Sequence, residues 1–149
     1  MSDVIVQPLQ FIETSEGTMF PIYRNWDEWH GGHEPKMVYA TTILPGVKKD
    51  IILHERRTAL LTAVQGDVLL RYKLPGQMCI NSVWLRNEHL KCSNVVKIDP
   101  DIPIELTNGS DITAVVINAP SPAWHPDDID TKKFKTWQEC DEYTARRSA

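Results

Sequence analysis

No apolar run in this chain approaches the roughly 18 residues of a membrane span, so no transmembrane helix is predicted. Basic residues form no run longer than two, which removes the electrostatic footprint of nucleic-acid binding. The N-terminal MSDVIVQPLQ has an early acidic residue, Asp3, and no basic n-region, so it does not read as a signal peptide. Cysteine is scarce: Cys79, Cys92 and Cys140 are an odd, widely spaced set. That argues against a disulfide framework and for a reducing, cytoplasmic compartment. With no CxxC, a cysteine-based zinc site is not expected. Cys79 and Cys92 flank a predicted strand and are expected to be small buried apolar groups. No repeat or low-complexity tract is visible.

What remains is an ordinary globular chain. Its 149 residues point to one domain spanning 1–149, large enough to bury a core without staples. Hydrophobic content of 42%, charged content of 24% and a net charge of −4 fit a soluble protein. The domain divides into an N-terminal arm at 1–35, a core at 36–130 and a helix and tail at 131–149.

Glycine and proline punctuate the chain. Residues 4–12 read as a short strand in which Pro8 favours a sheet edge. Met37 to Leu44, Val47 to His54, Ala59 to Val64 and Val68 to Lys73 follow as strands. Pro45-Gly46 and Gln65-Gly66-Asp67 make two of the connections. Pro75-Gly76 suits the centre of a type II turn. Ile80 to Arg86, Val95 to Ile98, Pro103 to Leu106 and Ile112 to Ala119 complete the set. Short strands spaced about 8 to 12 residues apart predict an all-β sandwich or barrel. Asn108-Gly109-Ser110 has the form of a glycosylation sequon and reads as a hairpin turn. Only one segment reads as helical. Thr136 and Glu139 form a capping box, so a helix is predicted from Trp137 to about Arg146. Arg146 and Arg147 in its last turn complement the helix dipole.

The run VYATTILPGVKKDIILHERRT, followed by AVQGDV, resembles the cupin-fold sugar-nucleotide proteins related to dTDP-4-dehydrorhamnose 3,5-epimerase. That group shows a vY-x-T-x-x-x-P-G turn, a strand ending in H-x-H-K-R-x-T, and an x-S-G-E-V hairpin. KIDPDIPIELTNGSDITAVVINAPSPAWHPDDID is similar to its later segments, so the likeness runs over residues 36–130. The resemblance implies an all-β, double-stranded β-helix jelly-roll barrel with a short C-terminal helix. It also implies a homodimer paired through N-terminal strands. The departures fall on functional positions. His54 matches the second histidine of H-x-H, but the first is Ile52. The late histidine falls near Ile104-Glu105-Leu106, and the acid tyrosine near Pro122 to Trp124. The late aspartate that pairs with the histidine has three candidates, Asp127, Asp128 and Asp130.

Metal-binding cupins use the H-x-H pair, a glutamate and a later histidine. Here only His54 remains, and Ala59 stands at the glutamate position. A first-row metal needs about three protein ligands, so neither metal nor other cofactor is expected. His30-Gly-Gly-His33 reads as a solvated loop rather than a ligand pair.

His54 carries two readings. An imidazole titrates near working pH and suits removal of the acidic proton beside a ketone. It also suits a hydrogen-bonded core position held by Glu55, Tyr39 or Tyr72. Strand alternation puts Asp50, Ile52 and His54 on one face, with Asp50 placed to orient a ligand. Arg56 and Arg57 match bidentate recognition of a pyrophosphate, or form a solvated turn in which Glu55 pairs with Arg57 or Lys49. Lys48 and Lys49 read as rim charges. Arg71 is a binding candidate whose face alternation leaves open, and Trp124 replaces a polar family position. Phe20, Tyr23, Trp26 and Trp29 stack on a ligand ring or, preferably, pack an arm against a neighbour. The resemblance implies an isomerase or epimerase of a 4-keto sugar nucleotide, with His54 as base and Arg56 or Arg57 on phosphate. The alternatives are a binding cupin without chemistry, and a small-molecule lyase or cyclase on the same barrel.

Overall fold

The computed structural model describes residues 2–127 and 129–148. Its strands are β1 (Val4–Pro8), β2 (Ile12–Thr14), β3 (Gly17–Met19), β4 (Tyr39–Ile43), β5 (Ile51–His54), β6 (Ala59–Gln65) and β7 (Val68–Tyr72). After them come β8 (Asn81–Asn87), β9 (Cys92–Ile98), β10 (Ile104–Asn108), β11 (Ala114–Asn118), β12 (Thr131–Phe134) and the helix α1 (Trp137–Ser148). The predicted all-β jelly roll with one C-terminal helix is what forms.

The main sheet runs β12-β5-β10-β7-β8-β9-β6-β11-β4, with β1 added to β9 and β2-β3 a separate hairpin. It curls on itself because β9 changes partners along its length. Cys92 and Ser93 pair with β8, whereas Ile98, Lys97 and Val96 pair with β6 on one side and β1 on the other. Pro8 ends β1, which pairs with β9 alone and so is the edge position that proline tolerates.

The curl encloses one apolar core. Ala59, Leu61 and Ala63 of β6 meet Val68 and Leu70 of β7, Leu85 of β8, Val96 and Ile98 of β9, Ile104 and Leu106 of β10, and Val116 of β11. Alternation explains the list, since each strand sends every second side chain inward. The other face of β6 also buries apolar groups. Leu60, with Leu9, Val95 and Ala119, is covered by Phe20, Ile22, Tyr23 and Trp29 of the N-terminal arm. The arm therefore packs on its own barrel.

The turns follow their residues. Val47 N donates to Leu44 O at 3.1 Å and Gln77 N to Leu74 O at 3.1 Å, closing turns around Gly46 and Gly76, both at positive φ. Asn108 is fully buried, which fixes the reading of its sequon as a turn. Its amide donates to the carbonyls of Ile43, Leu44 and Ile112, and its oxygen accepts from Ser110 N and Oγ.

The helix begins at the capping box. Glu139 N donates to Thr136 Oγ1 at 3.1 Å, while the Glu139 carboxylate accepts from Lys135 N at 3.0 Å. Strand β12 lies inside the region predicted as helix and tail. Its sequence, TKKF, carries too little apolar alternation to announce a strand, and it forms because β5 offers it an edge.

Two burial expectations are corrected. Cys79 is exposed, because it lies beyond the Pro75-Gly76 turn and outside β8. His30 and His33 are buried, at 0% and 7% exposure, rather than solvated. The glycines between them, at φ 63° and 80°, fold the loop back so that both rings reach main-chain carbonyls.

Candidate functional site

Strand β5 sets the site. Its inner face carries Ile52 and His54, and its outer face carries Ile51 and Leu53, each 1% exposed. Ile52 stands opposite Ile104, and Ile104 opposite Tyr72. The first position of the H-x-H pair, Ile52, thus faces an isoleucine of the Ile104-Glu105-Leu106 stretch near which the resemblance places the late histidine. Ile104 belongs to the closed core and Ile52 packs against it, so the barrel centre offers no ligand-binding nitrogen there. Among the described residues, no group of three or more His, Cys, Asp or Glu side chains converges to hold a metal ion.

His54 lies one step further out, at the rim, and is half-buried. Its partner across the ladder is Thr131 of β12. Thr131 Oγ1 is 3.0 Å from His54 Nδ1. Two of the side chains the sequence offers as holders have other partners. Tyr39 accepts from Asn118 at 2.8 Å, and Glu55 accepts from Tyr143 at 2.9 Å and pairs with Arg147 at 3.1 Å. The hydrogen bond from Tyr143 holds the Glu55 carboxyl below its usual range, and Arg147 and Lys132 add to this. Glu55 therefore ties β5 to α1.

The residues after His54 are held by Asp130, which is 7% exposed. Its Oδ1 accepts from Arg56 N at 2.6 Å and its Oδ2 from Arg57 N at 3.1 Å. Its carbonyl accepts from Glu55 N at 3.2 Å. The two arginines then diverge. The Arg56 side chain is 74% exposed, with Nε 3.7 Å from Asp130, whereas Arg57 is 3% exposed. A cavity of about 510 Å³ opens beside them, lined by both arginines, Ala123, His125, Asp127 and Asp130 among others. That volume is within the range of small-molecule sites. His125 is absent from the sequence-derived candidates. Its only sequence signal is its place beside Trp124 in a proline-rich turn.

The other candidates divide. Trp124 is 44% exposed, between the cavity residues Ala123 and His125. Asp127 and Asp130 join the cavity, and Asp128 lies outside the described residues. Asp50 is bound by Lys135 at 2.9 Å. Arg71 lies on the outer face, opposite Glu105 and 3.1 Å from its carboxylate. The structure does not bring Arg71 to the rim. Burial, with Lys133 nearby, lowers the pKa of Lys49. Burial raises that of Tyr72, on the same inner face as Ile52.

The chain matches no family model and no curated protein sequence. Solved structures do match. A dTDP sugar isomerase from Desulfovibrio desulfuricans G20 superposes with a TM-score of 0.78 at 16% identity, over 91% of this chain and 86% of that one. This chain has the RmlC-like cupin fold. A sugar 3,4-ketoisomerase from Thermoanaerobacterium thermosaccharolyticum, solved in complex with TDP, matches with a TM-score of 0.71 at 19% identity. It covers 97% of this cupin and 96% of that chain. The rmlC epimerase of Mycobacterium tuberculosis gives 0.72 at 13% identity, over 88% and 68%. Among the described residues, no helix is long and apolar enough to cross a membrane.

Proposed function

We propose that this cupin is an isomerase-class protein acting on a 4-keto sugar nucleotide. The observation that carries the reading is the rim itself. Arg56, Arg57, His125, Asp127 and Asp130 gather ionisable groups around one cavity, two residues beyond His54 at the end of β5, the strand where the resemblance places the base. Neighbours of the same fold are described as dTDP sugar and ketosugar isomerases or epimerases, some solved with TDP or with TDP-4-keto-6-deoxyglucose.

The chemistry follows from a ketone. A proton on the carbon beside C4 is acidic because the electron pair it leaves is delocalised onto the ketone oxygen as an enolate. His54 takes that proton, and no cofactor is required. Return of a proton to the opposite face gives the epimer. Transfer of the C3 hydroxyl proton to the C4 oxygen, with return of a proton to C4 itself, gives the ketoisomer. Arg56, with its guanidinium in solvent, is the group assigned to the pyrophosphate, where a planar fork matches two oxygens.

A second reading, a binding cupin without chemistry, is favoured by the Ile52–Ile104 pair. Apolar side chains occupy the barrel centre, so a ligand is held at the rim. Proton NMR of TDP-4-keto-6-deoxyglucose with the protein in heavy water decides between them. Loss of the C3 or C5 proton signal faster than in a no-protein control supports enolisation. Unchanged signals together with calorimetric binding of TDP support the binding cupin. Neither exchange nor binding overturns both.

A further inference from the structure

Residues that the rim does not use enclose a second cavity, of about 430 Å³, at the other end of β6. Volumes of this order hold small molecules. Thr58, bridged to Ser121 beside the first cavity, and Val64, which lines the second, are separated by about 20 Å of extended strand. The two cavities share no lining residue. One wall of the second is apolar, formed by Leu9, Phe11 and Phe20 of the N-terminal arm with Val64 of β6. The Phe11 and Phe20 rings sit 5.6 Å apart at 52°. Phe20 is packed into the cluster under the arm, whereas Phe11 is 52% exposed. Phe11 therefore has apolar area that a ligand would remove from water.

The opposite wall is the turn between β8 and β9, and it is polar. Hydrogen bonds hold its shape. Glu88 N donates to Asp67 Oδ1 at 2.9 Å, Leu90 N to Asn87 Oδ1 at 2.9 Å and Lys91 N to Glu88 O at 3.1 Å. Leu9 N donates to Ser93 O at 3.0 Å, which ties the arm to this wall. The two cations here differ. Arg86 is committed, donating to Gly66 O at 3.1 Å and lying 3.8 Å from Asp67. Lys91 is exposed, and its ammonium makes no ion pair among the described residues. Glu88, on the same turn and the same cavity, would repel a polyanion. One available ammonium, one carboxylate and an aromatic wall match a single negative charge on a flat apolar body. They do not match a pyrophosphate, for which the first cavity has two arginines.

We propose that the second cavity binds an aryl monocarboxylate, with its ring against Phe11 and its carboxylate toward Lys91. This site is independent of the reaction proposed for the rim. Cys92 lines the same cavity and serves as its reporter: the thiol is partly exposed, and Asn94 Nδ2 donates to its Sγ at 3.3 Å.

Iodoacetamide labelling of a Cys79→Ser protein tests this. With the exposed Cys79 removed and Cys140 buried, Cys92 is the thiol that reacts. The probe is 2-naphthoate, and the readout is the labelling rate with it relative to the rate without it. At about ten times its Kd, 2-naphthoate is expected to slow labelling about tenfold. The uncharged 2-naphthamide is expected to bind about fivefold more weakly. Lys91→Asn, a residue that tolerates the positive φ of 52° there, is expected to weaken 2-naphthoate by the same factor of about five. Phe11→Ala is expected to weaken it about fivefold through the lost ring contact. TDP is expected to leave the labelling rate unchanged. A thiol left unprotected at millimolar 2-naphthoate overturns the proposal. So does equal protection by the amide, which shows that no ammonium is read; both results need only the Cys79→Ser protein. Protection by TDP makes the cavity part of a nucleotide site and overturns it as well.

Discussion

The carboxylate of Asp130 and the main chain of Arg56 meet at 2.6 Å, while the Arg56 guanidinium lies 3.7 Å from the same oxygen. One buried side chain thus shapes the bend at the end of β5. Asp130→Ala removes an acceptor from two buried or half-buried N–H groups and is expected to cost about 3 kcal/mol. For a domain of this size that is roughly 6–12 °C in Tm. Urea denaturation measures it. A loss under about 1 kcal/mol shows that the bend holds without the carboxylate.

The two arginines are expected to separate ligand binding from stability. Arg56→Ala removes a mostly exposed guanidinium, so it weakens TDP binding about tenfold, or ~1.4 kcal/mol, with little change in Tm. Arg57→Ala vacates a side chain in a position that is 3% exposed, and it lowers Tm by several degrees. Calorimetry and thermal melts on both variants check the pair. Equal effects on both readouts contradict the division.

Gly66 and Gly76 share a positive φ, at 80° and 77°, but not their surroundings. A Cβ at Gly66 comes within 2.8 Å of Ala114 Cβ and 2.9 Å of its Cα, whereas one at Gly76 meets nothing within 4 Å. Gly76→Ala is expected to cost ~1 kcal/mol from backbone strain alone. Gly66→Ala adds overpacking against a β11 residue and is expected to cost ~3 kcal/mol. Equal costs in denaturant unfolding show that β11 gives way.

His33 makes stability depend on pH. Burial lowers its pKa below 6.5; Lys97 and His30 push the same way, while the Ala119 carbonyl and Asp99 oppose them. His30 Nδ1 accepts from His33 N at 3.1 Å. Arg24 and Asp27 pair with each other beside this loop, and Tyr23 packs on both rings. The unfolded chain binds the His33 proton more readily than the folded one, so stability falls as pH drops through 6.5 toward the folded value. The Glu55 contribution is lost only below its unfolded value near 4.5. Melts between pH 8 and 5.5 are expected to show a falling Tm that flattens in His33→Gln, which keeps a donor for Ala119 O. An unchanged slope in that variant refutes the assignment.

Much of the barrel was readable from alternation. LTAVQGDVLLRY gives β6, a glycine turn and β7 with inward positions in phase, because both strands pack one face on the core and their turn requires positive φ. The capping box named α1 for a similar reason, since its signal is local. β12 escaped because TKKF satisfies no core and takes its conformation from β5. The histidines of His30-Gly-Gly-His33 escaped because their acceptors, Arg24 O and Ala119 O, are set by the tertiary fold. At the site, His54 and its arginines were legible from a strand end. Thr131 and His125 were not, being brought there from about seventy residues further along the chain.

The late position of β12 also governs the order of events during synthesis. His54 and Thr131 are 77 residues apart, which at the usual 5–20 residues per second is roughly 4 to 15 s of translation. Through that interval, β5 leaves the ribosome as an apolar edge that β10 reaches first and β12 seals last. A nascent barrel therefore exposes IILH, a segment able to template pairing with another chain, until TKKF arrives. The two lysines of β12 then become the gatekeepers of that edge, charged groups where a further strand would otherwise add.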